Sequence, residues 1–214
     1  NPVDPVYPVQ SSSRAECACL TSGLSIHSYS RINQILMKED NAIPHSGQNP
    51  HELLPVVDDQ DRQIGALPRW QVHRDGLKHR AVHILVSRSD GKVYLQQRAL
   101  TKDSAPGKWD SSSSGHVDPG ESYPDAAIRE LDEELGIIPE SAPVQIGIIP
   151  ASPSTGNEFT GVFKCSTELE PTPNPNEIQD GKWLTPADID DWISKEPSVF
   201  ARCFLEVWRY ARKA

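Results

Sequence analysis

The chain has 214 residues, 36% of them hydrophobic and 24% charged, with a formal net charge of −9. That apolar content supports one substantial core, and no apolar run approaches the roughly 20 residues that a membrane span requires. The acidic balance excludes a binding mode that coats a nucleic-acid polymer with bulk positive charge, so an anionic small molecule would be met by a few placed cations or by bound metal. Four cysteines, Cys17, Cys19, Cys165 and Cys203, are too few and too scattered for a disulfide framework. Cys17 and Cys19 form a CxC pair that reads as incidental thiols, and Cys165 and Cys203 sit in apolar stretches that read as core.

In chain order, residues 1–50 are rich in Pro, Ser and Asn and are predicted to be an irregular N-terminal extension, with a short helix only at 26–37. The extension has no hydrophobic signal-peptide core, so the expected location is cytoplasmic. Arg14, Arg31 and the scarcity of acids before Glu39 leave organellar targeting open. Residues 51–214 read as one α/β (α+β) domain. Strands are predicted at 54–57 and 64–67 around the turn from Asp58 to Asp61, followed by one or two helical turns at 68–73. Two further strands, 81–87 and 92–97, flank Ser89-Asp90-Gly91, whose Asp-Gly pair is a hairpin signal. Strands are also predicted at 144–149, 158–165 and 181–184. Helices are predicted at 187–194, opened by Thr185-Pro186, and at 198–212, following Pro197.

Between these lies a helix whose limits are written in its caps. Ser122 followed by Asp125 reads as a capping box, Pro124 fits the first turn, and Gly136 supplies the left-handed residue that ends the helix. Ala127, Ile128, Leu131 and Leu135 recur at helical spacing and are expected on one buried face. Glu130, Glu133 and Glu134, at i, i+3 and i+4, cluster on an adjoining face, where they repel one another. Hard oxygen ligands so arranged suit magnesium or manganese. The alternative is a solvated acidic face. Arg129, flanked by acids, reads as a clamp on a carboxylate such as Glu121.

Gly115, Glu121, Arg129-Glu130-Leu131, Glu133-Glu134 and Gly136-Ile137 occupy every fixed position of the Nudix box, so residues 115–137 resemble the Nudix hydrolase superfamily. The resemblance implies a Nudix fold, a mixed β-sheet sandwiched between α-helices, with Gly115, Glu130, Glu133 and Glu134 forming the metal site. Upstream, the run from Val72 to His83, the residues Arg98, Lys102 and Trp109, and the Gly115-His116 pair resemble the branch that includes isopentenyl-diphosphate isomerases. On that resemblance Arg98 and Lys102 match positions that hold a diphosphate. His73, His79, His116 and Glu158 match ligands of a second metal, zinc or manganese. The position of a further glutamate is held by Gly156, and His83 reads as structural.

The isomerases carry a cysteine just before the matching Gly-His pair, whereas this chain has Ser111-Ser112-Ser113-Ser114. A hydroxyl is a much weaker acid than a thiol, so the expectation is a diphosphatase using water and magnesium rather than an isomerase. A non-catalytic nucleotide-binding module would be expected to have a degraded box. Glu133, Glu134 and Glu177 are the candidate general bases, with Arg129 and Glu121 supporting them. Trp109 and Trp70 are candidates to stack on the organic group, and loops 151–157 and 171–176 to shape its pocket. The expected partner is a small-molecule diphosphate, with no nucleic-acid polymer and no membrane. Oligomeric state is open, a homodimer included.

Overall fold

A computed structural model describes Asn49 and residues 51–214. The predicted extension over residues 1–48, its helix at 26–37, and Cys17 and Cys19 lie outside the described residues. Nine strands and four α-helices follow in chain order among the described residues. They are β1 (Leu53–Val57), β2 (Gln63–Pro68), α1 (Arg69–Asp75), β3 (His79–Ser87), β4 (Val93–Arg98), β5 (Trp109–Asp110) and β6 (Ser113–His116). Then come α2 (Tyr123–Leu135), β7 (Val144–Ile149), β8 (Glu158–Ser166), β9 (Ile178–Leu184), α3 (Pro186–Lys195) and α4 (Arg202–Ala211). No helix of the described residues is long and apolar enough to cross a membrane.

β1 and β2 form a separate antiparallel pair. The other seven strands make one mixed sheet in which β3 pairs parallel with β8 and antiparallel with β6, while β4 pairs antiparallel with β5 and β9. β3 and β4 meet only at Ser87–Val93, beside the turn closed by left-handed Gly91. Beyond that point the sheet splits. The buried Ser112 hydroxyl bridges the split, accepting from Val86 N at 2.7 Å and donating to Tyr94 O at 2.5 Å.

Period two assigns the side chains of β3 to opposite faces. Val82, Ile84 and Val86 join Ala126, Ala127, Leu131 and Leu135 of α2 in one core cluster. Leu85 joins Ile189 of α3 and Phe204 and Trp208 of α4 in another. α2 begins where Ser122 accepts from Asp125 N and ends at left-handed Gly136. Only half of the predicted capping box forms, the Asp125 carboxylate accepting from the Ser122 hydroxyl at 2.6 Å. Ile128 also departs from expectation. It is 40% exposed, and Ala126 takes its place on the buried face.

Three further expectations are corrected. The strand predicted at 181–184 begins earlier, at Ile178. The helix predicted over 198–212 is broken: Pro197–Val199 makes a single 3₁₀ turn, and α4 starts at Arg202. The break lets Ala201 N donate to Trp109 O at 2.8 Å, which stitches the C-terminal segment to β5. Cys165 is buried in the apolar core as expected, but Cys203 is half-buried with its sulfur 3.7 Å from Thr160 Oγ1.

Rings connect the second core cluster: Trp109–Trp192, Trp192–Phe200, Phe200–Phe204 and Phe204–Trp208 centroids lie 5.2, 5.0, 5.4 and 6.1 Å apart. Phe204 is fully buried within this ladder. Phe204→Ala is expected to cost about 3–5 kcal/mol in urea denaturation, whereas Ile128→Ala should cost under about 1 kcal/mol. Equal losses would contradict the assignment of faces.

Candidate active site

The opening of the sheet and the C-terminal half of α2 bring the box residues together. β6 lies along β3 with Gly115 opposite Val82. The Glu130 carboxylate packs on Gly115 so closely that a Cβ there would stand 2.1 Å from Glu130 Oε1. No other residue fits at Gly115 without displacing that carboxylate. Glu134 spans the split in the sheet, accepting from Gln96 Nε2 of β4 and from Ser114 N of β6, both at 2.9 Å.

Arg129 organises the remaining carboxylates. Its Nε and Nη2 donate to the two oxygens of Glu121, each at 2.9 Å. Nη1 donates to Glu130 at 2.7 Å and Glu133 at 3.1 Å, and Nη2 also donates to His116 O at 2.8 Å. The clamp expected on Glu121 is present and reaches two further acids. Glu130 and Glu134 are buried while Glu133 is substantially exposed. Burial, together with the negative charge of Glu134, pushes Glu130 up to about 8. Burial also raises Glu134, opposed by the Lys102 charge. Two buried carboxylates that resist ionisation fit a divalent cation with hard oxygen preference, magnesium or manganese.

The expected phosphate-holding cations are at the site, each already engaged. Lys102 is buried and forms an ion pair with the buried Glu177, and its burial lowers its proton affinity. Arg98 donates to Ser104 O at 3.0 Å and to Asp110 Oδ2 at 3.3 Å. The pairing of Lys102 with Glu177 was not visible in sequence, where the two stand 75 residues apart. Trp109 is not a stacking surface. It is 5% exposed, within the aromatic ladder. Trp70 is exposed, with the Arg74 guanidinium over its ring.

The three histidines converge beside the box. α1 carries His73 in its last turn and ends at left-handed Gly76, which turns the chain into β3 and His79. Parallel register sets Glu158 of β8 opposite His79, and β6 contributes His116 opposite Ala81. Ligand nitrogens of His73, His79 and His116 lie within 4.8 Å of one another, and Glu158 Oε1 is 3.5 Å from His79 Nε2 and 3.7 Å from His116 Nε2. His79 Nδ1 is fixed on Leu77 O at 2.9 Å, and its buried Nε2 has no hydrogen-bond partner among the described residues. Burial lowers His73 and takes His116 down to about 4, which keeps imidazole lone pairs available. The donor set fits zinc or manganese. Gly156, at the position of the absent glutamate, is left-handed at φ +71°, and Asn157 follows at φ +65°. Sequence reasoning missed β5, which is only two residues long, and β6, because a serine run carries no strand signal.

The family model for the NUDIX domain matches residues 77–203. An isopentenyl-diphosphate Delta-isomerase of Burkholderia multivorans is 34% identical over 161 residues, covering 72% of this chain and 92% of that protein. An uncharacterized Nudix hydrolase of Pseudomonas aeruginosa is 45% identical over 93 residues, 44% of this chain and 55% of that one. Among solved structures, DR0079 from Deinococcus radiodurans superposes with a TM-score of 0.64 at 26% identity, covering 75% of this chain and 98% of that one.

A carboxyl whose folded value stands near 8 against an ordinary 4.5 keeps its proton in the folded state while the unfolded chain loses it. Stability without divalent cations should therefore fall as pH rises from about 4.5 towards 8. Magnesium, which favours the charged form, should flatten that slope. Thermal melts across this range with magnesium or with chelator are the check, and identical slopes would count against cation binding at Glu130. Gly115→Ala should weaken magnesium binding about tenfold or more by displacing the same carboxylate, measured calorimetrically.

Proposed function

The chain belongs to the Nudix family, and we propose that it hydrolyses a small organic diphosphate, water attacking phosphorus at the box carboxylates. The observation that carries this reading is the Arg129-organised cluster of Glu130, Glu133 and Glu134, intact in residue type and drawn together beside Lys102 and Arg98. Ser114 stands where the isomerase-like branch carries a thiol. Its backbone N–H is engaged by Glu134, so the position serves the carboxylate site.

In this reading Glu130 and Glu134, with Gly115 behind them, hold magnesium or manganese. When bound, the cation neutralises phosphate charge and acidifies water. Glu133 takes the proton from the attacking water. It reaches solvent, whereas Glu130 and Glu134 are buried and Glu177 is engaged by Lys102. Arg129 and Glu121 fix the geometry of this group without touching substrate. Arg98 and Lys102 release Asp110 and Glu177 to receive phosphate oxygens, so the substrate's charge replaces internal carboxylate partners. His73, His79, His116 and Glu158 hold a second ion, zinc or manganese, next to the same cleft.

A second reading, isomerisation of a five-carbon diphosphate, draws support from the printed name of the Burkholderia relative and its coverage. The two are separated by products. Nucleoside triphosphates, ADP-ribose, NADH, nucleotide sugars and prenyl diphosphates would be incubated with magnesium or manganese, and phosphate-containing products and carbon-skeleton isomers read by NMR. Hydrolysis predicts cleavage of at least one. Interconversion of isomers with no cleavage would establish the second reading instead, and inertness of the whole panel would remove both. Glu134→Gln should lower turnover at least about a hundredfold, with the fold retained by circular dichroism. Arg98→Ala should act mainly on KM.

A further inference from the structure

The face of the sheet turned away from α2 carries another group of ligating side chains. Alternation along β3 puts His83 on the face of His79, and alternation along β8 puts Glu158 and Thr160 together. Parallel register lays these two strands side by side, His79 opposite Glu158 and Ala81 opposite Thr160. Cys203, in the first turn of α4, comes down on this face against Thr160. One ligand atom each from His83, Glu158 and Cys203 lies within 4.8 Å of the others.

We propose that His83, Glu158 and Cys203 form a binding site for a zinc-class divalent ion, distinct from the carboxylate site on the box helix and adjoining the histidine trio through Glu158. The donor set is an imidazole, a carboxylate and a thiolate, a combination that selects zinc or cobalt over magnesium. Three protein ligands leave a fourth position open to water or ligand. Tetrahedral ligands stand roughly 3.5 Å apart, so side-chain adjustments of about an ångström close the observed triangle. His83 is already oriented for the task. Its Nδ1 is 2.8 Å from Ser111 Oγ and 3.6 Å from Asp110 Oδ1, which leaves Nε2 for the ion, with a hydroxyl and a carboxylate behind the ring. On binding, the thiol proton leaves to solvent and the sulfur lone pair makes the bond to the ion. Glu158 supplies one carboxylate to both clusters, so an ion here and one at His73, His79 and His116 are bridged neighbours. The inference rests on ligand geometry and does not depend on the hydrolase reading.

The test titrates the full-length, metal-free protein with cobalt(II) alone. Sulfur bonded to cobalt gives a charge-transfer absorption in the near ultraviolet that histidine and carboxylate ligands do not. The band is expected in the wild type and in His73→Ala. It should also persist in the Cys17→Ser/Cys19→Ser double variant, where the remaining other thiol, Cys165, is buried in the apolar core. It should vanish in Cys203→Ser. Cobalt binding without the band, loss of the band in the double variant, or its survival in Cys203→Ser would each overturn the site. Should Cys203→Ser fail to fold, alkylation of the wild type by iodoacetamide decides: zinc is expected to slow modification of Cys203 at least severalfold, and an unchanged rate overturns the site. Absence of the band from the wild type with hydrolysis intact removes this site alone, and a band without hydrolysis removes only the hydrolase reading.

Discussion

The site depends on one departure from regular pairing, the divergence of β3 and β4 immediately after Ser87–Val93. A continuous ladder between these strands would close the sheet and leave no path for a helix carboxylate to reach its edge. Once the strands part, the backbone groups facing the gap need partners, since a buried unpaired donor or acceptor costs about 1–3 kcal/mol. Ser112 supplies them at the apex, and Glu134 answers groups on both banks further along. Ser112 is thus a structural member of the split, fully buried with Ser111 and Ser113, while Ser114, at the position that matches the thiol, is half-buried and gives its backbone N–H to Glu134.

Electrostatics inside the opening follow a single rule: cations are matched to carboxylates. Arg129 holds Glu121, Glu130 and Glu133, Lys102 holds Glu177, Arg98 holds Asp110, and Arg69 holds Asp103 through two hydrogen bonds. Such pairs offset the desolvation of their members but add little net stability, because each charge has left water to form them. Their value lies in position. Guanidinium forks fix carboxylate planes to within a fraction of an ångström, and burial still raises the proton affinity of the Glu130–Glu134 pair held among them.

Local chemistry made much of this legible in the sequence. Ser122, Pro124 and Gly136 delimit α2 because caps act over one turn, and the strands bracketing Asp90-Gly91 emerge because alternation and turn residues are short-range signals. The acids and Arg129 were readable as a group because helical spacing alone puts them on neighbouring faces. What was illegible depends on tertiary context. Trp109 has the same residue type whether it stacks on a ligand or on Trp192, and only the packing of α3 decides between them. Pro197 signals a helix start, yet the hydrogen bond from Ala201 to Trp109 interrupts the helix after one turn. Cys203 lies in an apolar run, but its helix presents it to a polar strand face. The pairing of Lys102 with Glu177 needed β9 to lie beside β4.

The parallel alignment of His79 with Glu158 carries a consequence for how this protein can vary. The turn before β8 runs through two left-handed residues, Gly156 and Asn157, and the strand starts at once, so its phase is set there. Lengthening the loop ahead of that turn leaves the phase untouched. A single residue added between the turn and the strand would exchange the two sides of β8, sending the carboxylate of Glu158 towards the apolar layer under α2 and the ring of Phe159 towards the histidines. Change along this segment is therefore quantised in steps of two. The loop is free to drift, while the first residue of the strand is bound by parity.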